Sequence, residues 1–150
     1  MAVYQTDSPE ETEQLARRVG ERLRDGDVIA YRGGMGMGKT AFTRGLAAGM
    51  GIGEDCVSSP TFAIINEYRK NGRRLCHFDM YRIDGYDDLY STGFFDYLDD
   101  GAVLAIEWSE NIERLDILPK NTVWITISQT GENSRSIQIE GGERFENLGD

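Results

Sequence analysis

Apolar residues recur along this chain with two periods, and the switches between those periods mark its elements. Residues 3–5 open as a short extended stretch. A helix start follows, with Ser8 as the capping hydroxyl, Pro9 in the first turn and Glu11 three residues past the cap. Leu15, Val19 and Leu23 then recur at helical spacing, and Asp25-Gly26 ends the run. Residues 27–31 (DVIAY) read as a short, mostly apolar strand, and residues 40–50 as a second helix with Phe42, Leu46 and Met50 on one face. Residues 61–68 (TFAIINEY) are rich in β-branched and aromatic side chains and read as extended. Across 75–81 (LCHFDMY), Cys76, Phe78 and Met80 point one way while His77, Asp79 and Tyr81 point the other. Residues 102–106 (AVLAI) are continuously apolar, as in a strand covered on both faces. Residues 122–127 and 136–139 read as two strands around the turn at 130–133. Strand–helix alternation followed by strand runs predicts an α/β fold, a single domain over 1–140 with a central mixed sheet flanked by helices. Residues 141–150 are polar and read as a flexible tail.

Composition narrows the function. The 150 residues carry 16 Lys and Arg against 26 Asp and Glu, a net charge of −10. Phosphate affinity in nucleic-acid binders comes mainly from clustered cations, so a free-standing electrostatic binder of nucleic acid is excluded. A protein that reaches RNA through a basic partner is not. With 39% hydrophobic and 28% charged residues, the chain is neither disordered nor membranous in type. No apolar run approaches the roughly 18 residues of a spanning helix, and the polar start MAVYQTDSPEET has no signal-peptide pattern. Cys56 and Cys76 have no metal-ligand spacing, so a reduced, cytoplasmic setting is expected.

Between the first apolar strand and the second helix lies GGMGMGKT (33–40), which matches G-x-x-x-x-G-K-[ST] with Gly33, Gly38, Lys39 and Thr40 in the fixed places. Glycines let successive backbone N–H groups curl around an anion where a side chain would block the approach. The following helix adds its amino-terminal N–H groups and the positive end of its dipole. Lys39 can reach the terminal phosphates, and the Thr40 hydroxyl can hold Mg²⁺. A phosphate-loop domain therefore needs a second acid near the metal. Glu107 directly follows AVLAI and projects from the carboxyl end of that strand, where ligands of open α/β sheets bind. It can hold Mg²⁺, hold a metal-bound water, or polarise the attacking water. Asp79, on the strand face shared with His77, is the other candidate.

GGMGMGKTAFTRGL (33–46), SSPTF (58–62), HFDMYR (77–82) and IEW (106–108) occur in the order and spacing of the TsaE, or YjeE, family of small bacterial P-loop ATPases, and the chain resembles that family over roughly residues 8–127. The resemblance implies that ATP is held by Gly34, Met35, Gly36, Met37, Gly38, Lys39, Thr40 and Ala41, with Mg²⁺ at Thr40 and Glu107. It places Thr61 in a switch-like segment, Asp79 near the γ-phosphate, Trp108 in the wall of the active site and Arg135 against the adenine. On this reading Lys39, Asp79 and Glu107 are the catalytic set. The family's usual loop is G-D-L-G-A-G-K-T. Gly34 and Met37 replace its Asp and Ala, removing no phosphate-binding N–H but leaving no acid at position 34. The resemblance further implies an accessory ATPase acting with TsaB and TsaD. Together they place threonylcarbamoyl on adenosine 37 of tRNAs reading codons that begin with A. ATP hydrolysis supports cycling of the complex, and this subunit does not itself transfer the group. Contact with tRNA is expected only through the complex, in keeping with the net negative charge.

The remaining features read more plainly. His77 is the one histidine, and a hydrogen-bonded structural role outweighs a general base, since no nucleophile pairs with it. Arg44 and Arg82 read as surface or structural cations rather than as an arginine finger, which predicts slow hydrolysis by the isolated chain. Residues 84–100 interleave aspartates with Tyr86, Tyr90, Phe94, Phe95, Tyr97 and Leu98. Such a segment suits a protein contact and a helix pair with buried aromatics equally. Two further functions stay open: a small-molecule kinase, and a nucleotide-gated assembly module in which occupancy rather than turnover matters.

Overall fold

The computed structural model describes residues 1–32, 38–53, 57–58, 65–80, 83, 85–107 and 117–148. In chain order these carry β1 (Ala2–Thr6), α1 (Pro9–Glu21), β2 (Val28–Arg32), α2 (Lys39–Gly49), β3 (Val57–Ser58) and β4 (Ile65–Lys70). There follow β5 (Arg73–Asp79), α3 (Tyr86–Ser91), α4 (Phe94–Asp99), β6 (Val103–Glu107), β7 (Val123–Gln129), β8 (Arg135–Glu140) and a 3-10 turn at Glu143–Phe145. The strands form one mixed sheet in the order β1-β8-β7-β2-β6-β5-β4-β3. Its middle, β7-β2-β6-β5, is parallel, and both flanks are antiparallel.

The apolar runs sit where both faces of the sheet are covered. All of 28–31 and 103–106 are buried, the composition a parallel strand needs when helices lie on either side. Alternation splits their side chains between two cores. Ile29, Tyr31, Val103 and Ala105 pack with Leu15 and Val19 of α1 and Phe42 and Leu46 of α2. Val28, Leu104 and Ile106 pack with Phe78, Leu89 of α3 and Phe94 of α4. The aromatic segment at 84–100 therefore partly serves the core through Leu89 and Phe94, while Tyr86 and Tyr90 of α3 remain exposed.

Helix α1 starts as its sequence directs: Ser8 Oγ accepts from Glu11 N at 3.1 Å. Glu11 Oε2 accepts from the amide of Asp7 at 2.8 Å, one residue earlier than in a strict capping box. Helices α1 and α2 approach closely because glycines face the partner backbone. A Cβ on Gly20 would lie 2.3 Å from Leu46 O, and one on Gly49 would lie 2.0 Å from Arg17 O.

The flexible tail expected from residue 141 is corrected by the packing. Phe145 is fully buried and Leu148 nearly so. Tyr4 Oη donates to Phe145 O at 2.5 Å and accepts from Leu148 N at 3.2 Å. Arg18 donates to Leu148 O, and Arg144 meets buried Asp27 at 2.8 and 3.3 Å. Two apolar residues and one arginine in an otherwise polar stretch suffice to dock it, because each meets a prepared partner. No helix among the described residues is long and apolar enough to cross a membrane.

Candidate functional site

All four parallel strands run the same way, so Arg32, Asp79 and Glu107 reach one edge of the sheet together with the end of β7. Gly34, Met35, Gly36 and Met37 lie outside the described residues, as do Thr61 and Trp108. Beyond the loop, Gly38 caps α2 with φ 90° and ψ 20°, a left-handed conformation that a Cβ would strain. Helical bonding begins with Phe42 N to Gly38 O at 2.9 Å, so the amides of residues 38–41 precede the first intrahelical bond. No side chain caps this end, and no acid occupies its first turn. Backbone donors and the positive dipole end are thus presented together, the requirement for an anion site. Lys39 is buried, whereas Thr40 and Ala41 are exposed.

Lys39 is anchored from below. Thr43 Oγ1 donates to Lys39 O at 2.8 Å, which commits its single hydrogen. The 2.8 Å contact between Tyr31 Oη and Thr43 Oγ1 therefore has Tyr31 as donor. Burial pushes the Tyr31 phenol far above its ordinary pKa against the opposing effect of this hydrogen bond, and the nearby charge of Glu107 adds to the rise. Tyr31 stays a neutral donor at any physiological pH, and the start of α2 is tied to β2.

The two acids stand side by side. Asp79 and Glu107 are register partners in the parallel β5/β6 pair, and Met80 N donates to Glu107 O at 3.0 Å. Alternation puts His77 on the same face as Asp79, and its Nε2 comes within 2.5 Å of Glu107 Oε2. Both ring nitrogens are buried, and neither makes a hydrogen bond among the described residues, so the approach is a close polar contact rather than a hydrogen bond. The reading of His77 as a hydrogen-bonded structural residue is therefore corrected: the ring is buried without a hydrogen bond among the described residues, and Nε2 meets the carboxylate of Glu107. The described residues hold no cluster of three His, Cys, Asp or Glu able to cage a metal alone. Thr40, Asp79 and Glu107 are hard oxygen donors, matching a cation that completes its shell with phosphate and water.

Beside the start of α2 lies a cleft of about 250 Å³. Gly38, Ala41 and Arg44 of α2 form one wall, Pro9 and Glu13 of α1 another, and Asn133 and Arg135 of the β7–β8 hairpin a third. Arg135 donates through one nitrogen to the carbonyls of Ser134, Gly131 and Glu132 at 2.9, 3.4 and 3.4 Å, which fixes the turn that closes this wall. Arg135, singled out in the sequence, thus shares a cleft with Gly38 and Ala41. The contribution of Pro9 and Glu13 had no local signal, because it depends on where α1 packs. The Tyr31–Thr43 tie and the His77–Glu107 contact were likewise hidden, since both join residues on different elements.

Comparison with known proteins agrees with this geometry. The family model for the threonylcarbamoyl adenosine biosynthesis protein TsaE matches residues 6–137. The chain is 37% identical over 146 residues to the tRNA threonylcarbamoyladenosine biosynthesis protein TsaE of Bacillus subtilis, covering 97% of this chain and 89% of that protein. It is 33% identical to the Aquifex aeolicus protein of the same name, covering 89% and 91% of the two chains. The crystal structure of Bacillus subtilis YdiB superposes with a TM-score of 0.72 at 33% identity, covering 98% of this chain and 90% of that one. With the model match spanning most of its length, the chain belongs to the TsaE family.

Proposed function

We propose that this protein binds Mg·ATP at the amino end of α2 and hydrolyses it in the biosynthesis of threonylcarbamoyladenosine at position 37 of tRNAs reading codons that begin with A. Its partners in this reading are TsaB and TsaD, and it meets tRNA only through them, in the cytoplasm. The observation that carries the proposal is the uncapped end of α2, opened by left-handed Gly38 at the sheet edge where Asp79 and Glu107 lie in register. Family membership supports the pathway, and the net charge of −10 supports an accessory role away from the RNA.

In this mechanism the amides of residues 34–41 and the Lys39 ammonium neutralise the β- and γ-phosphates. The Thr40 hydroxyl and Glu107 hold the divalent cation, which when bound offsets phosphate charge. Asp79 orients a water against the γ-phosphorus. The water oxygen bonds to phosphorus as the bond to the β–γ bridging oxygen breaks, yielding ADP and phosphate, with the water's proton released to solvent. The cleft beside Ala41 takes the nucleoside, with Arg135 against the adenine; family resemblance assigns Thr61 to a switch-like segment and Trp108 to the active-site wall. No arginine finger is assigned, so turnover by the isolated chain is on the order of 10⁻³ s⁻¹ until a partner supplies the missing group.

The test is complementation in cells depleted of the protein, read by mass spectrometry of tRNA nucleosides. Wild type restores threonylcarbamoyladenosine, whereas Lys39→Ala and Glu107→Ala do not. Full restoration by Glu107→Ala, with ATP still bound, would leave occupancy as the function and favour the assembly module. Phosphoryl transfer from labelled ATP to a small hydroxyl acceptor would favour the kinase.

A further inference from the structure

His77 is the chain's single histidine, and its side chain is 4% exposed. A buried imidazole loses its water and must recover hydrogen bonds inside the protein. Here neither ring nitrogen has one among the described residues, and the nearest polar group is Glu107 Oε2, 2.5 Å from Nε2. An ionised carboxylate only accepts, so two lone pairs would repel at that separation and Nε2 carries the hydrogen. Nδ1 is the ring's other nitrogen, and it is sealed from solvent. A general base must reach the proton it removes, directly or through one water. With Nε2 turned to Glu107 and Nδ1 sealed in, His77 is not placed for that task. It also lies two residues behind the acid pair, opposite Asn66 on β4 and Ala105 on β6, rather than at the open edge. Glu107, at 17% exposed, is the link between this buried ring and the edge.

We infer that His77 is a positioning residue: its Nε2 edge, pressed against Oε2 of Glu107, restrains that carboxylate so that Oε1 is the oxygen offered to the divalent cation. This rests on the reading of Glu107 as a cation ligand. A glutamate carboxylate turns about three side-chain bonds, so the groups packed against it set how it meets a cation, and losing such a partner typically weakens metal affinity about 10–100-fold. The ring also explains why the strand keeps a polar side chain between buried Leu75 and the site, in a position that an apolar residue would otherwise fill.

The experiment measures the Mg²⁺ concentration that half-saturates the Mg-dependent tightening of ATP binding, by calorimetry, so that turnover does not enter. The proteins are wild type, His77→Ala, His77→Gln (which keeps an N–H donor), Glu107→Gln and the double variant His77→Ala/Glu107→Gln, each with its thermal midpoint. The expected result is a rise of about 10–100-fold for His77→Ala, recovery to within about threefold in His77→Gln, and no further rise when His77→Ala is added to Glu107→Gln. An unchanged half-saturation in His77→Ala, with Glu107→Gln clearly raised, overturns the inference and leaves the cation reading intact. Equal rises in His77→Ala and His77→Gln, tracking their loss of thermal stability, overturn it in favour of packing alone. An unchanged value in Glu107→Gln overturns the cation reading and the role of His77 with it.

Discussion

Gly20→Ala tests how the helix that carries Lys39 is seated. In a solvent-exposed helix this substitution stabilises, by about 1 kcal/mol, because alanine restricts the unfolded chain and suits helical backbone. Here the added Cβ would stand 2.3 Å from Leu46 O, closer than packed Cβ atoms come, with Leu46 C at 3.0 Å and Gly49 Cα at 3.1 Å. Reaching an ordinary contact near 3.5 Å requires α1 and α2 to part by about 1 Å. The obstacle is backbone, which cannot rotate aside as a side chain can. Overpacking of this kind costs about 1–3 kcal/mol, and the upper end applies to a main-chain clash. Subtracting the propensity gain leaves a net loss of about 2 kcal/mol, hence a fall in Tm of about 4–8 °C for a domain of this size. Urea unfolding followed by circular dichroism measures it, and the midpoint drops by about 1 M at a typical slope. Because the helices part, α2 shifts on the sheet and ATP affinity falls too. A midpoint equal to or above that of wild type would refute the close packing and the sign of the argument.

Four other outcomes follow from the same coordinates. Phe145→Ala destabilises by about 3–5 kcal/mol in urea unfolding, as a fully buried aromatic does and a frayed tail does not. Thr43→Val loses more stability than Tyr31→Phe, about 2 against about 1 kcal/mol, because Thr43 takes part in two hydrogen bonds and Tyr31 supplies one of them; parallel denaturation curves decide it. Burial pushes the Cys76 thiol up to about 12, above its ordinary value of 9.0, so the folded state keeps a proton that the unfolded chain releases. Its contribution to stability is complete below pH 9 and declines as pH rises toward 12, and in a Cys56→Ser background a thiol reagent modifies Cys76 only at the unfolding rate. Arg135→Ala weakens ATP binding several-fold while leaving inorganic tripolyphosphate binding unchanged, since Arg135 lines the cleft beside Gly38 and Ala41 at the start of α2; equal losses for both ligands would contradict the proposed nucleoside placement.

Local signals carried much of the fold. The cap at Ser8, the glycines before Lys39 and the unbroken AVLAI run each act within a few residues, so their physics is visible in order along the chain. The place of Glu107 at the carboxyl end of β6 was legible for the same reason, because the apolar run stops there. What stayed hidden depends on residues far apart. Docking of the tail turns on Phe145 meeting Tyr4 and Arg144 meeting Asp27, and neither partner is marked by spacing. The position of β7 beside β2, which brings the hairpin and Arg135 to the cleft, is a tertiary choice that strand propensity leaves open. His77 was read as a satisfied buried histidine, and only the register of β5 against β6 reveals that its contact is with the site.

The central claim is that the amino end of α2 and its preceding loop grip the phosphates of ATP. The most direct measurement is calorimetric titration of ATP with magnesium into wild type and into Lys39→Ala, each verified as folded by its thermal midpoint. The account predicts saturable binding by wild type and at least a tenfold loss in the variant. Absence of binding by well-folded wild type, or equal affinity in both proteins, contradicts it.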